Sequence, residues 1–287
     1  MRKKDGCGFW PEIKMESVAS NNLLWNQTSF RSPLSITLNS IHRKHTPVAN
    51  TSIPSHAHTL PAWLKWGMPA AIFLYPAVLI IPALNWEADY YREYGLVETL
   101  SNLFLFIALV LALCAARAAS NSLQLLWTIF FAIGCFIFLG EEISWGQHYL
   151  KWVPPESWAE MNRQNETNFH NLKGWPEFLF GKVARNGLSI GMIVGSVIAP
   201  WWLRRNQQLC QPGSINFWLW PSSQSAIVAV LAVASNIPKR LMKNFGVEIP
   251  YQYYGPNDGE LKECLFALFI LLYAIVLFRT LREQAGR

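Results

Sequence analysis

Residues 118–142, AASNSLQLLWTIFFAIGCFIFLGEE, decide the fold class of this chain. The first 23 of these positions, 118–140, carry no charged side chain, and two glutamates follow directly. A helix of about 20 residues crosses the roughly 30 Å hydrocarbon core of a bilayer, where every backbone amide must be hydrogen-bonded within the helix. The stretch therefore predicts a membrane-spanning helix that ends at a pair of carboxylates.

Further apolar stretches lie on both sides of this segment. They occupy residues 66–84, 99–116, 186–203, 206–238 and 264–278. The last is only 15 residues long, and it reaches spanning length if its helix runs from Glu260 to Arg279. A single stretch of this kind could be a buried helix of a soluble protein, but six in one chain predict membrane spans.

The composition agrees with this interpretation. The chain has 287 residues, of which 52% are hydrophobic and only 15% charged, and most of its 14 tryptophans fall near the ends of the apolar stretches. We therefore expect an all-α, polytopic transmembrane helical bundle of about six spans. The spans are predicted near residues 66–84, 96–116, 122–141, 187–204, 217–236 and 260–279.

The regions outside the spans differ strongly from one another. Residues 1–60 are rich in Asn, Ser, Thr, His and Pro, without apolar periodicity, and we expect a disordered tail there. Residues 61–287 form the predicted six-span domain, with long loops at 148–185 and 237–259. Loops of this length in a compact membrane protein are usually functional or interfacial.

An even number of spans places both termini on one side of the membrane. That side holds 14 of the 24 Lys and Arg residues but only 4 of the 18 Asp and Glu residues. The positive-inside rule then favours cytoplasmic termini, and we expect a multi-pass protein of the bacterial inner membrane.

The glutamates near the span ends are predicted to gather on the opposite side. Span two begins at that side with Glu98, span three ends there with Glu141 and Glu142, and span six begins there with Glu260 and Glu263. Ionisable groups at such depth are costly and are by default functional. The alternative for Glu98, Glu260 and Glu263 is stabilisation of a helix N-terminus, by about 0.3–1 kcal/mol each. For Glu141 and Glu142 it is an exposed interfacial pair.

Polar residues of the long loop could join these acids. His148 and His170 would complete a His/Glu site for a divalent cation, although no HxxxH or HExxH spacing supports it, and His170 and Asn171 could instead stabilise the loop. Arg185 could pair a carboxylate or hold an anionic headgroup. The candidate catalytic residues are Glu141, Glu142, His170 and Glu98. The candidate substrate-binding residues are His148, Asn171, Arg185, Glu260 and Glu263.

A helix that continued past Glu142 towards Lys151 would place Glu141, Ser144 and His148 on one stripe. These residue types suggest a hydrolase triad. However, Glu141 would then lie about 10.5 Å along the helix axis from His148, which is too far to orient the imidazole. The five cysteines show no metal-ligand spacing either.

Two motifs resemble a known group of proteins. They are the octapeptide GEEISWGQ at residues 140–147, and Asn162 followed by Glu166, Asn168, His170 and Asn171. Residues 94–279 resemble a family of uncharacterised bacterial multi-span membrane proteins in these motifs. The resemblance implies a helical membrane fold but no particular activity.

Three functions are compatible with these patterns. An enzyme acting on a lipid or polyprenyl-linked substrate at the membrane edge is favoured by acids, imidazoles and aromatic loops at one interface. A transporter or proton-coupled carrier would require polar groups near the bilayer midplane, where the spans offer little besides Ser196 and Ser225. A non-catalytic assembly protein would tolerate neutralisation of the acids. The expected partners are the lipid bilayer and a lipid-like substrate, and not nucleic acid.

Overall fold

The computed structural model of the chain describes residues 59–78, 95–211, 213–235, 237, 241, 244–246 and 259–286. The predicted tail lies outside these residues except for Thr59 and Leu60, and so does most of the predicted loop 237–259. Leu60 is buried, and its backbone N–H donates to the Gln224 side-chain oxygen at 2.7 Å. The helical domain therefore already includes Leu60.

Six helices organise the described part of the chain. They are α1, Met68–Val78, preceded by a π-helical turn Trp63–Gly67; α2, Leu96–Arg117; α3, Ser122–Glu142; α4, Glu177–Arg205; α5, Ile215–Ala234; and α6, Glu260–Ala285. No strand forms among the described residues, where Asn162 and Leu172 make an isolated antiparallel bridge. The predicted all-α bundle is confirmed.

The helices α2 to α6 are each long and apolar enough to cross a membrane. The predicted first span, 66–84, coincides with α1 as far as Val78, and its remainder lies outside the residues that the structure describes. The largest difference from the predicted bounds is in α4. This helix begins at Glu177 rather than near residue 187, because Pro176 and the acidic Glu177 suit a helix N-terminus.

The long loop covers residues 143–176 rather than the predicted range 148–185, because α4 begins earlier. It contains the short helices Gln147–Leu150 and Glu156–Met161. Trp158 and Phe180 both pack against the ring of Phe169, with ring centroids 5.4 Å away in each case. These aromatic contacts hold the loop against the start of α4 and thereby position the residues around Phe169.

The central helix is α6. In its most apolar 18-residue window 78% of residues are buried, against 28–33% in the other four spans. It packs mainly on α2 and α5, while α2 also packs on α3. Many outward side chains of α3 are apolar, including Leu126 and Phe130, which are about two-thirds exposed. Such a surface suits lipid contact rather than water.

Helices α4 and α5 approach each other closely at one glycine of α4. A Cβ atom on Gly195 of α4 would lie 3.0 Å from the ring of Pro221 in α5. Residues 219–222 of α5 are not helical, because Pro221 has no N–H to donate to the preceding turn.

Candidate functional site

Helix direction brings the predicted glutamates to one end of the bundle. Helices α2 and α6 begin at this end, and α3 ends there. Glu98, Glu141 and Glu263 are buried, whereas Glu142 and Glu260 are half-buried. All five carboxylates therefore lie at the same end of the bundle, and none of them belongs to a fully exposed residue.

The chain turns sharply just after the paired glutamates. Helix α3 ends at Glu142, and Ser144, Trp145 and Gly146 have φ values of 46°, 55° and 96°. Left-handed backbone is strained for the first two, and such strain is often found at functional sites. The helical stripe of Glu141, Ser144 and His148 therefore does not exist, because the helix stops before Ser144.

The indole of Trp145 folds back onto the last turn of α3. A Cβ on Gly140 would come within 2.8 Å of this ring, so only glycine leaves room for it. The indole N–H donates to Glu141 Oε1 at 2.8 Å. The turn thus fixes one oxygen of the Glu141 carboxylate.

The other oxygen of Glu141 binds the long loop. Glu141 Oε2 accepts from the backbone N–H groups of Phe169, at 2.8 Å, and His170, at 3.0 Å. It also lies 3.2 Å from His170 Nδ1. A carboxylate with this many donors is held in one orientation and in turn orients the imidazole.

A second imidazole joins a separate buried network. His148 Nδ1 lies 3.4 Å from Glu98 Oε1, and His148 Nε2 lies 3.2 Å from Glu166 Oε1. Burial alone would lower the pKa of His148, but its hydrogen bonds and charge interactions with Glu166 and Glu98 outweigh this and raise the pKa to about 9. At neutral pH His148 is an imidazolium that joins α2 to the loop.

Glu166 is the residue of this network that the sequence did not place among the candidates. Its Oε2 accepts from Ser144 Oγ at 3.0 Å and also from the Asn168 amide. Asn162 Oδ1 in turn accepts from the backbone N–H of Glu166 at 3.2 Å. The only sequence signal for Glu166 was the second motif, which contains Asn162, Glu166 and Asn168.

Asn171, a predicted substrate-binding residue, also belongs to the loop network. Its amide donates to the Gln164 side-chain oxygen and to Glu166 Oε2, the latter at 3.2 Å. These contacts correspond to the alternative in which Asn171 stabilises the loop.

The remaining three acids form their own cluster. Glu142, Glu260 and Glu263 can each place one carboxylate oxygen so that all three lie within 4.8 Å of one another. Arg185 of α4 forms an ion pair with Glu263. Oxygen donors at this spacing could hold a hard divalent cation. The two imidazoles are engaged with other carboxylates, so the predicted mixed His/Glu site is not what the described residues assemble.

An apolar cavity of about 350 Å³ opens beside these groups. Its walls come from α3, α4 and α6 and are largely aromatic and aliphatic: Phe130, Phe131, Phe138, Phe180, Leu188, Phe266 and Ile270. Its polar lining consists of Glu141, Glu142, His170, Arg185 and Glu263. The cavity therefore joins an apolar chamber to both the Glu141–His170 pair and the acid cluster.

Comparison with known proteins adds no assignment. No protein-family model matches this chain, and no curated protein or solved structure matches it either.

Proposed function

We propose that this integral membrane protein is an enzyme that acts on a lipid or polyprenyl-linked substrate at the membrane edge. The observation that carries the proposal is the 350 Å³ apolar cavity whose lining includes both Glu141 and His170. A pocket that is mostly apolar, with a few convergent polar groups, is the usual form of a small-molecule site. Here the cavity lies among helices that suit a bilayer, so an amphiphile is the substrate class that matches it.

The Glu141–His170 pair supports general acid–base chemistry. Glu141 only accepts hydrogen bonds, so a proton on His170 Nδ1 would point to Glu141 Oε2, which is 3.2 Å away. In that tautomer Nε2 is the basic nitrogen and can take a proton from water or from a substrate hydroxyl. His170 then acts as the general base, and Glu141 is its positioning residue.

The acid cluster would act on the polar part of the substrate. Glu142 and Glu263 line the cavity, and Arg185 pairs with Glu263 at the same place. A divalent cation held by Glu142, Glu260 and Glu263 would supply a Lewis acid for a substrate oxygen. In this arrangement the alkyl or isoprenyl chain lies along the apolar walls, while the reacting group meets His170.

Lipid turnover by the purified full-length protein tests this proposal. The protein is reconstituted with total bacterial membrane lipid, and the lipid species are followed over time by mass spectrometry. We expect His170→Gln to slow product formation roughly a hundredfold or more, because general acid–base catalysis is worth about 10²–10⁴ in rate. Glu142→Gln should also be strongly impaired, with detergent stability nearly intact. Glu141→Gln should be impaired too, but with a loss of stability, because an amide nitrogen cannot accept from the buried donors that Glu141 binds.

Glu160→Gln is the matched control, because Glu160 is an exposed loop acid at the same end of the bundle and no candidate role involves it. Full turnover by the His170→Gln variant would rule out the general base. Lipid profiles that no variant alters, together with normal assembly of all variants, would support the non-catalytic alternative.

The carrier alternative rests on the chain of contacts from Glu98 through His148 to Glu166. A carboxylate on each imidazole nitrogen is an arrangement that could pass protons. All three groups lie at one end of the bundle, however, and not along a path through it. Proton flux into liposomes that is lost in His148→Gln, without any lipid product, would favour the carrier.

We also propose that the two motifs, at residues 140–147 and 162–171, reflect kinship with uncharacterised bacterial multi-span membrane proteins. The protein would then reside in a bacterial inner membrane, and we propose that its termini are cytoplasmic. The support for this orientation is the overall excess of basic residues on the side of the termini, which holds 14 of the 24 Lys and Arg residues. Arg117 of α2, Arg204 and Arg205 of α4, and Arg279 and Arg282 of α6 lie at the end of the bundle opposite the glutamates.

A further inference from the structure

A second cleft lies at the arginine end of the bundle, between α2 and α6. It has a volume of about 680 Å³ and is lined by Leu111, Ile275, Phe278, Arg279, Arg282 and Glu283. Arg279 follows Glu260 by 19 residues, which is about 28 Å along a helix and close to the thickness of the hydrocarbon core. We call this site, with its six lining residues, the basic cleft.

We propose that the basic cleft binds an anionic phospholipid, with its phosphate at Arg279 and Arg282 and its acyl chains along Leu111, Ile275 and Phe278. This site is separate from the cavity at the glutamate end and does not depend on the proposed enzymatic function.

The charge of the cleft favours an anionic headgroup. Arg279 and Arg282 are three residues apart on α6, so both guanidinium groups lie on one side of the helix. Both are exposed, and within the described ranges neither is within ion-pair distance of a carboxylate, even though Glu283 lines the same cleft. Guanidinium groups bind phosphate oxygens through planar, bidentate hydrogen bonds.

The apolar floor favours a lipid over a soluble phosphate. Leu111 is six residues before the end of α2, and Ile275 lies one turn before Arg279 on α6. These side chains are therefore on the hydrocarbon side of the arginines. The Arg282 guanidinium lies 6.0 Å from the centre of the Phe278 ring, which keeps it along the helix surface. Basic pockets between helices at the cytoplasmic edge are typical sites for anionic lipid headgroups.

Native mass spectrometry of the detergent-purified full-length protein tests this inference. The probes are phosphatidylglycerol and phosphatidylcholine with identical acyl chains. Each basic residue near an anionic headgroup contributes about fivefold to binding, so the double variant Arg279→Gln/Arg282→Gln should lose about 25-fold in affinity for phosphatidylglycerol. Its binding of phosphatidylcholine should not change.

The double variant Arg204→Gln/Arg205→Gln is the control, because it removes two charges at the same end but outside the basic cleft. It should bind phosphatidylglycerol within about twofold of the unmodified protein, because neither Arg204 nor Arg205 lines the cleft in which the headgroup is held. Equal loss in both double variants would show a diffuse basic surface and overturn the site. Equal binding of the two lipids by the unmodified protein would overturn it as well, and so would complete competition by inorganic phosphate.

Thermal unfolding in detergent checks that each variant is folded. If the double variant Arg279→Gln/Arg282→Gln is not folded, the single variants Arg279→Gln and Arg282→Gln replace it.

Discussion

The imidazole of His148 is the charged link between α2 and the long loop. It is buried between Glu98 and Glu166, and their combined effect raises its pKa from 6.5 to about 9. A raised pKa means that the folded state holds the proton more tightly than the unfolded state. The stabilisation is complete below about pH 6.5 and disappears as the pH rises through about 9, and it amounts to about 3 kcal/mol.

We therefore expect the thermal stability of the detergent-purified protein to fall between pH 6.5 and 9.5. The variant His148→Gln should be less stable at pH 6 and should lose most of this pH dependence. His170→Gln serves as the control, because it leaves the contacts of His148 with Glu98 and Glu166 in place and should keep the fall. An unchanged slope in His148→Gln would contradict the assignment.

The end of α3 depends on one glycine for its shape. The Trp145 ring occupies the space that a Cβ on Gly140 would need, and the same indole donates to Glu141. Gly140→Ala should therefore displace the ring and lower the free energy of unfolding by about 1–3 kcal/mol, as overpacking does. Because Glu141 positions His170, lipid turnover should fall too.

Gly134→Ala provides the comparison within the same helix, since nothing lies within 4 Å of a Cβ at that position. This change should be neutral or stabilise the helix by up to about 1 kcal/mol. Chemical denaturation in detergent measures both variants. Equal stability of the two would show that the contact between Gly140 and Trp145 does not matter in the folded protein.

The bundle gathers five glutamates at one end, whereas Arg117, Arg204, Arg205, Arg279 and Arg282 lie at the other. Cysteine variants in a background without the native cysteines can test whether a membrane lies between the ends. Lys173→Cys in the exposed loop and Gly286→Cys after α6 should react with a membrane-impermeant maleimide from opposite sides. Labelling of both from one side would contradict the topology.

Ile133→Cys is the internal control of this experiment. Ile133 is 52% exposed on the surface of α3, but we expect lipid to cover it and to prevent labelling. Rapid labelling of this position from water would mean that the outer face of α3 is not in the hydrocarbon core.

The amino-acid sequence by itself determined the helical membrane fold and the end of the bundle at which the acids lie. Both follow from local properties: the length of each apolar stretch sets the span, and alternating helix direction sets the side for Glu98, Glu142 and Glu260. The bounds of α2 and α3 agree with the predicted spans within one residue for the same reason.

Only the tertiary structure decided which acid meets which imidazole. His170 meets Glu141 across 29 positions of the chain, and Glu166 returns to His148 across 18. Both contacts require the turn at Ser144 to Gly146, whose left-handed backbone at Ser144 and Trp145 has no local sequence signature for those residue types. Contacts of this kind depend on how the loop folds back over the helix ends. Spacing along the chain reports which residues share a helix face, but it does not report which loop atom comes to lie beside them.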